Sequence, residues 1–243
     1  MNMGRYRRFA GALVVAGLSA GVLSACNPVG TNFTDDATVT DKITAVKLES
    51  DAGEVTVRGK AGATQAAVHR NVTYRSDKPG ASTRVDGGVL VLGGCGRNCS
   101  VDYTVELPPG LPITGGTSAG ALKLSQVGEV SVHTSSGDIT LDDVTGPVDV
   151  RTNNGEIKGT SLKGDRVSAK TDNGGIKLTP GKAQNITAKT SNGEINVTVP
   201  TASYHVTAST DLGEKHIGVQ NDPNGQYKLD LGTNIGEITV KTG

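Results

Sequence analysis

The chain repeats one pattern of hydrophobic and polar positions around a series of glycines. Aliphatic residues stand seven and five positions before each glycine, threonine three before it, and aliphatic residues two and four after it. Strong copies are centred on Gly137, Gly155, Gly174, Gly193 and Gly236, and weaker copies on Gly53, Gly120 and Gly213. From Gly120 onward these glycines are 17, 18, 19, 19, 20 and 23 residues apart, which makes residues 113–243 a repeat array.

Hydrophobic and polar residues alternate with period two on both sides of each glycine, which predicts two short strands joined by a tight turn. Dipeptides such as Asn154-Gly155 and Asn173-Gly174 favour that turn, because Gly adopts positive φ freely and Asn tolerates it. A second glycine series marks the other end of each unit: Gly128, Gly146, Gly164 and Gly181. Two strands and two turns complete one circuit.

These circuits predict an all-β fold, a parallel β-solenoid of roughly 18–20-residue two-strand coils. The same hairpins also allow an antiparallel meander or a sandwich. Aromatic residues make up 3% of the chain and Trp is absent, which suits a thin core of small aliphatic columns. Residues 41–112 contain strands with irregular connections, and we expect this N-terminal β region to cap the solenoid.

The N-terminus has the pattern of an export signal. Arg5, Arg7 and Arg8 precede an apolar stretch from Phe9 to Leu23 that is short for a membrane span. The run Leu23-Ser24-Ala25-Cys26 resembles the bacterial lipobox. That resemblance implies a lipoprotein signal peptide over residues 1–25, cleavage before Cys26 and a diacylglyceryl group on its thiol. A plain secretory signal with a chance cysteine is the alternative.

The lipobox places the mature protein on the extracytoplasmic face of the bacterial cell membrane, with residues 26–40 as a polar tether. The whole chain has 24 basic and 24 acidic side chains. Losing the three arginines of the signal leaves 21 basic against 24 acidic side chains, so the mature chain is mildly acidic. A nucleic-acid partner is therefore not expected.

Two cysteines remain besides the predicted lipidation site. Cys95 and Cys99 stand four residues apart between two strand-like runs. An even pair in an oxidising compartment predicts a disulfide. A metal site would need two further ligands, and no histidine lies nearby in the sequence.

The repeat also predicts charged columns on the surface. Acids follow the turn glycine in six of eight copies, and cations stand four positions before it in four copies. The acids include Asp138, Glu156, Glu194 and Glu214, and the cations are His133, Arg151, Lys170 and Lys189. Mutual charge compensation across the turn is one interpretation, and a weak cation site or a surface for a charged wall polymer is the other. The threonine column is expected to satisfy turn backbone groups, and Asn154, Asn173 and Asn192 to form an amide ladder.

No catalytic, metal-binding or cofactor motif is predicted. The run Gly116-Thr-Ser-Ala-Gly120 matches the nucleophile elbow G-x-S-x-G, but that motif requires a strand-to-helix turn. Here a strand pattern continues after Gly120. The four histidines are scattered and show no ligand spacing.

The run Tyr103 to Ile113, followed by serial V-x-[VA]-x-T-x-x-G-[DE]-I units, resembles the bacterial "putative adhesin" family of β-strand repeat domains of unknown function. The resemblance covers residues 43–243 and implies an extracytoplasmic, right-handed β-helix-like fold. The sequence thus predicts a lipid-anchored, non-enzymatic adhesion, interaction or spacer module that contacts the membrane through Cys26 and, beyond it, a cell-wall polymer or an envelope protein. A polysaccharide-active β-helix enzyme and an accessory protein of an envelope-stress sensor are the alternatives.

Overall fold

A computed structural model describes residues 30–243. The predicted signal peptide and Cys26 lie outside the described residues. The described part consists of β-strands, turns and loops, and contains no helix long and apolar enough to cross a membrane. The strands, in chain order, are β1 (Thr31–Val39), β2 (Ala45–Ala52), β3 (Val55–Gly59), β4 (Ala66–Tyr74), β5 (Thr83–Asp86), β6 (Val89–Gly93), β7 (Cys99–Leu107), β8 (Ile113–Ala119), β9 (Leu122–Ser125), β10 (Val130–Ser136), β11 (Ile139–Asp142), β12 (Val148–Asn154), β13 (Ile157–Leu162), β14 (Arg166–Asn173), β15 (Ile176–Pro180), β16 (Asn185–Lys189), β17 (Ile195–Val199), β18 (Tyr204–Leu212), β19 (Lys215–Ile217), β20 (Tyr227–Ile235) and β21 (Ile238–Thr242).

The strands form two sheets that enclose one core. Sheet A has the order β1-β4-β7-β3-β9-β11-β13-β15-β17-β21-β19, and sheet B has the order β18-β20-β16-β14-β12-β10-β8-β2-β6-β5. The repeat strands pair in parallel with their counterparts in the next coil, for example β10 with β12 and β11 with β13. This parallel pairing confirms the β-solenoid and excludes the antiparallel meander for the repeat array. We call one strand of sheet B and the following strand of sheet A a rung.

The core consists of aliphatic columns that run along the stack. The residues seven positions before the turn glycines pair in register, as in Val130, Val148 and Val167, and all three are buried. Ile139, Ile157 and their counterparts form the matching column of sheet A. Because most rungs contribute one small aliphatic side chain to each column, the core needs few aromatic rings.

The turn glycine and the threonine three positions before it share one carbonyl group of the preceding rung. Gly155 has φ of +157°, and a Cβ at this position would stand 2.1 Å from the carbonyl oxygen of Gly137. The hydroxyl of Thr152 donates to the same oxygen at 2.9 Å. The contact recurs from Thr171 to Gly155, Thr190 to Gly174, Thr210 to Gly236 and Thr233 to Gly193. The predicted backbone role of the threonines is therefore confirmed, and it explains the T-x-x-G spacing.

At both ends of the stack the chain departs from sequential order. The β2–β3 rung lies between the β6–β7 rung and the β8–β9 rung, so part of residues 41–112 belongs to the regular array. At the other end, the β20–β21 rung lies between the β16–β17 rung and the β18–β19 rung. The last strand of the chain is therefore internal, and β18 and β19 form the edge.

Residues 26–40 do not form a tether along their whole length. Strand β1, Thr31–Val39, pairs antiparallel with β4 at the end of sheet A. The guanidinium of Arg70 donates to both carboxylate oxygens of Asp35, at 2.5 and 2.6 Å. Phe33 packs edge-on against Tyr74, with 5.9 Å between the ring centroids. Backbone pairing and these contacts hold a segment whose polar composition suggested a tether.

Candidate interaction surface

Four basic side chains occupy one column on the outer face of sheet B. In the strand register, His133 faces Arg151, Arg151 faces Lys170, and Lys170 faces Lys189. Strands in a sheet lie about 4.8 Å apart, so the column places one cationic or titratable side chain at each of four consecutive steps. We call these four residues the cation stripe. The stripe is the column that the repeat frame predicted.

The cation stripe is only partly neutralised by acids. Lys189 forms an ion pair with Asp230 at 2.6 Å, and Arg151 lies 3.7 Å from Asp172. His133 and Lys170 form no ion pair with any of the residues that the structure describes. Like charges directly opposite each other on neighbouring strands destabilise a sheet. The stripe therefore carries a repulsion that its neighbours relieve incompletely.

The two end members of the stripe cover glycines. The imidazole of His133 lies over Gly116, where an added Cβ would stand 2.8 Å from the Nδ1 and Cε1 atoms. Lys189 lies over Gly232, where an added Cβ would stand 3.1 Å from Cδ and Nζ. Gly116 faces His133 and Gly232 faces Lys189 in the strand register. The end side chains thus extend over the outer rungs, away from the central pair Arg151 and Lys170.

Two polar columns border the stripe. Two positions before the cations, the register aligns a column of hydroxyl side chains and one acid: Ser131, Asp149, Ser168 and Thr187. At the turn, the amide of Asn173 donates to the side-chain oxygen of Asn154 at 3.0 Å, and Asn192 donates to Asn173 at 3.0 Å. The predicted asparagine ladder is therefore confirmed. The hydroxyl column follows from the same repeat frame, at six positions before each glycine, but the sequence gives no signal that it borders a binding surface.

The acids that follow the turn glycines form a different arrangement from the cation stripe. Glu54 pairs with Lys123 at 2.8 Å, and Glu156 pairs with Lys158 at 2.7 Å. The hydrogen bond that Lys158 donates to Glu156 also raises the pKa of this lysine, which keeps it charged. These cations lie on the outer face of sheet A. Glu54 and Glu156 are thus neutralised by lysines of sheet A and not by the stripe.

The remaining predicted acids lie on the same edge. The carboxylate of Asp138 accepts a hydrogen bond from the backbone N–H of Glu156 at 2.8 Å. Glu194 is exposed and forms no ion pair within residues 30–243. His216 lies 3.2 Å from Glu214 and 3.6 Å from Glu237. No ion pair joins this acidic column to the cation stripe among the described residues. The acids of this column that do form ion pairs, such as Glu156 and Glu214, pair with residues of sheet A.

The other candidates are structural or isolated. Cys95 and Cys99 form the predicted disulfide, with 5.7 Å between their Cα atoms, in the connection between β6 and β7. Ser118 is exposed on β8 and β9 follows it, so the strand-to-helix turn of a nucleophile elbow is not formed there. Across residues 30–243, no group of three or more His, Cys, Asp or Glu side chains is arranged to hold a metal ion.

A buried tyrosine near the N-terminal end of the stack escaped the sequence reasoning. The Tyr103 hydroxyl lies 2.5 Å from Ser82 Oγ, 3.2 Å from the Ser82 carbonyl oxygen and 2.8 Å from that of Gly93. Burial raises the pKa of Tyr103 and outweighs the hydrogen bond with Ser82. The tyrosine therefore stays neutral and joins the loop before β5 to the end of β6.

Comparisons with known proteins agree with this fold. Residues 40–241 match the family described as Toastrack DUF4097. No curated protein matches the sequence. A solved structure of a "putative adhesin" from Bacteroides fragilis NCTC 9343 is 14% identical, with 90% of this chain and 100% of that chain aligned at a TM-score of 0.52. A "putative adhesin" from Parabacteroides distasonis ATCC 8503 is 15% identical, with 88% of this chain and 98% of that chain aligned at a TM-score of 0.48.

Proposed function

The chain belongs to the Toastrack DUF4097 family, a family of unknown function, and from its own surfaces we propose that it is a lipid-anchored, non-enzymatic interaction module. It would be displayed on the extracytoplasmic face of the bacterial cell membrane. The observation that carries the proposal is the arrangement of its side chains: aliphatic columns fill the interior, and polar columns repeat once per rung on two outer faces. Such a surface suits binding by repeated contacts along an extended partner.

The position of β1 defines how the module would be presented. Cys26 stands five residues before Thr31, the first residue of β1. Five residues span at most about 18 Å when fully extended. A lipid on Cys26 would therefore hold the N-terminal end of the stack close to the membrane. The β18–β19 rung is eight rungs away from the β6–β7 rung, or about 38 Å at 4.8 Å per step, so the opposite end can reach into the envelope.

The anchor is tested by labelling cells with a fatty-acid analogue. We expect the wild-type chain to incorporate the label and the Cys26→Ser variant to lose it. The Cys95→Ser/Cys99→Ser double variant is the matched control, because it removes the other two cysteines of the chain and should keep the label. Label that persists in the Cys26→Ser variant would show that the chain is not anchored through this residue.

The non-enzymatic part of the proposal is tested with the acids of the turn column. The purified protein is expected to leave cell-wall polysaccharides at their original length during prolonged incubation. Cleavage by the wild type that disappears in the Asp138→Asn, Glu156→Gln or Glu194→Gln variant would overturn the proposal in favour of a polysaccharide-active enzyme.

A further inference from the structure

We propose that the cation stripe on sheet B is a binding site for a linear, phosphate-bearing polyanion that lies along the axis of the stack. This inference deepens the proposed function, since it names the face of the module and the chemistry of its partner. The site is centred on Arg151 and Lys170, with His133 and Lys189 at its two ends.

The contrast with sheet A is the first argument. On the same two rungs as Arg151 and Lys170, sheet A presents Lys158 and Lys177 in register on its outer face. That column is cationic on these two rungs only, because Thr140 and Asn196 occupy the same register position on either side of it. Lys158 is neutralised by Glu156 at 2.7 Å, and Lys177 forms no ion pair within the described residues. On sheet B, Arg151 has an acid only at 3.7 Å, and Lys170 forms no ion pair within the described residues.

The arrangement of the end residues is the second argument. His133 and Lys189 extend over Gly116 and Gly232, which are the two positions that adjoin the stripe in the register. Any side chain at either glycine would meet the end residue at 2.8–3.1 Å. The stripe is thereby lengthened beyond its four rungs, while the surface over Arg151 and Lys170 remains uncovered by the end side chains. This gives a long, narrow cationic track.

The borders of the stripe favour a chain over a flat surface. Asp149 precedes Arg151 by two positions on the same strand face, and Asp172 follows Lys170 by two. These acids flank the stripe on its two sides, so a broad anionic surface would meet them as well as the cations. A narrow polymer along the stripe would contact the cations and avoid Asp149, and it would compete with Asp172 for Arg151. Ser168 and the amides of Asn154 and Asn173 lie alongside as hydrogen-bond partners for its backbone.

A phosphate group, which offers several oxygens, suits the central pair Arg151 and Lys170 better than an anion with one acceptor atom. An arginine guanidinium donates two parallel N–H groups to phosphate oxygens, whereas a lysine ammonium acts as a compact charge. Arg151 and Lys170 face each other on strands about 4.8 Å apart. The two non-bridging oxygens of one phosphodiester can therefore be shared between the two side chains. Successive phosphates would then relieve the repulsion along the stripe.

The test uses residues 27–243 and inorganic polyphosphate as the probe. All of the buried hydrophobic residues of the described core lie between Val39 and Val240, so this chain keeps the complete core. Polyphosphate binding is measured by titration calorimetry at several salt concentrations. The Arg151→Gln/Lys170→Gln variant should bind polyphosphate at least about tenfold more weakly than the wild type. The slope of the logarithm of the association constant against the logarithm of the salt concentration should become less steep by about one to two.

The matched control is the Lys158→Gln/Lys177→Gln variant, which removes two positive charges from the same two rungs on the opposite face. It should keep binding within about twofold of the wild type. Equal losses in the two double variants would overturn the proposal, since they would show a response to net charge alone. So would wild-type protein that fails to bind polyphosphate, or that binds anionic phospholipid vesicles more tightly than polyphosphate.

The two proposals fail separately. The binding experiment contains no lipid anchor, so its failure overturns the polyanion site and leaves the anchoring at Cys26 standing. Fatty-acid labelling of the Cys26→Ser variant would overturn the anchor and leave the binding result unchanged.

Discussion

The rungs in the middle of the stack and those at its two ends are ordered and stabilised in different ways. From β8 to β17, spatial order follows chain order, and each rung repeats the contacts of the rung before it. At the ends, one rung is inserted out of order on each side. The N-terminal end adds antiparallel strands, a disulfide and the Tyr103 hydrogen bonds. The C-terminal end has a partly exposed final rung instead.

This difference shows which contacts stabilise the fold in each region. In the middle, stability depends on a few atoms that must fit at every step, namely the turn glycine and the threonine hydroxyl. At the ends, insertion of β2–β3 and β20–β21 places a rung between two neighbours that are distant in sequence. Such a rung pairs with a neighbour on each side, so it can leave the stack only if both sets of strand pairings are broken. This opposes the fraying expected at the ends of a simple repeat array. The middle should therefore be intolerant of small changes, and the ends more tolerant.

The largest expected effect follows from adding one methyl group in the middle. The Gly155→Ala variant places a Cβ 2.1 Å from the Gly137 carbonyl oxygen, at a φ of +157° that L-residues rarely adopt. We expect the free energy of unfolding to fall by about 4 kcal/mol, because both strain and a backbone clash must be relieved. Chemical denaturation monitored by circular dichroism measures the change.

Gly80 provides the control for that substitution at the N-terminal end. It lies in the loop before β5, and no heavy atom stands within 4 Å of an added Cβ. The Gly80→Ala variant should change the unfolding free energy by no more than about 0.5 kcal/mol. If the two alanines cost the same, the fit of the glycine column does not determine the stability of the middle.

A smaller effect separates the middle from the C-terminal end through one kind of hydrogen bond. Thr152 is fully buried and donates to Gly137 at 2.9 Å, whereas Thr210 is partly exposed and donates to Gly236 at 3.0 Å. The Thr152→Val variant should lose about 1–2 kcal/mol, since the position of the buried hydroxyl is closed to water and the bond cannot be replaced. The Thr210→Val variant should lose less than about 0.5 kcal/mol, because water can replace the hydroxyl. Equal losses in thermal unfolding would contradict this assignment.

The sequence predicted the middle well because one local frame specifies it. The spacing of glycine, threonine and aliphatic residues determines the turn, the strand lengths and which side chains face the core. The cation stripe follows from the same frame, since residues at equal offsets come into register. Its ion-pair partners could not be predicted, because Asp230 reaches Lys189 only through the insertion of β20, 41 residues later in the chain.

The ends were harder to predict because long-range pairing determines them. Strand β1 has few hydrophobic residues, and its place depends on backbone pairing with β4 and on the ion pair between Asp35 and Arg70. The order of the last two rungs is likewise absent from any local pattern. One signal does mark the true edge: Lys215 stands two positions after Gly213, where the strong copies have isoleucine.

The smallest expected effect on stability concerns that lysine. Lys215 is exposed, and it pairs with Ile238 in the column that continues through Ile195, so it places a charge at the open edge of sheet A where the neighbouring rungs have a buried isoleucine. Inward-pointing charges on edge strands oppose pairing with another chain. Asn221 protects the start of β18 in a similar way, since its side-chain oxygen accepts the backbone N–H of Val206 at 2.8 Å.

Replacing Lys215 should therefore change association more than folding. The Lys215→Ile variant restores the aliphatic column, so its unfolding free energy should stay within about 0.5 kcal/mol of the wild type. Its edge would then offer unpaired backbone groups beside an apolar side chain, and sedimentation velocity should show dimers increasing with concentration. Lys241→Ile is the control, since Lys241 is exposed on the internal strand β21 and its loss removes the same charge. If both variants associate equally, general surface hydrophobicity accounts for the effect; if neither does, Asn221 and the short length of β19 suffice to protect the edge without the lysine.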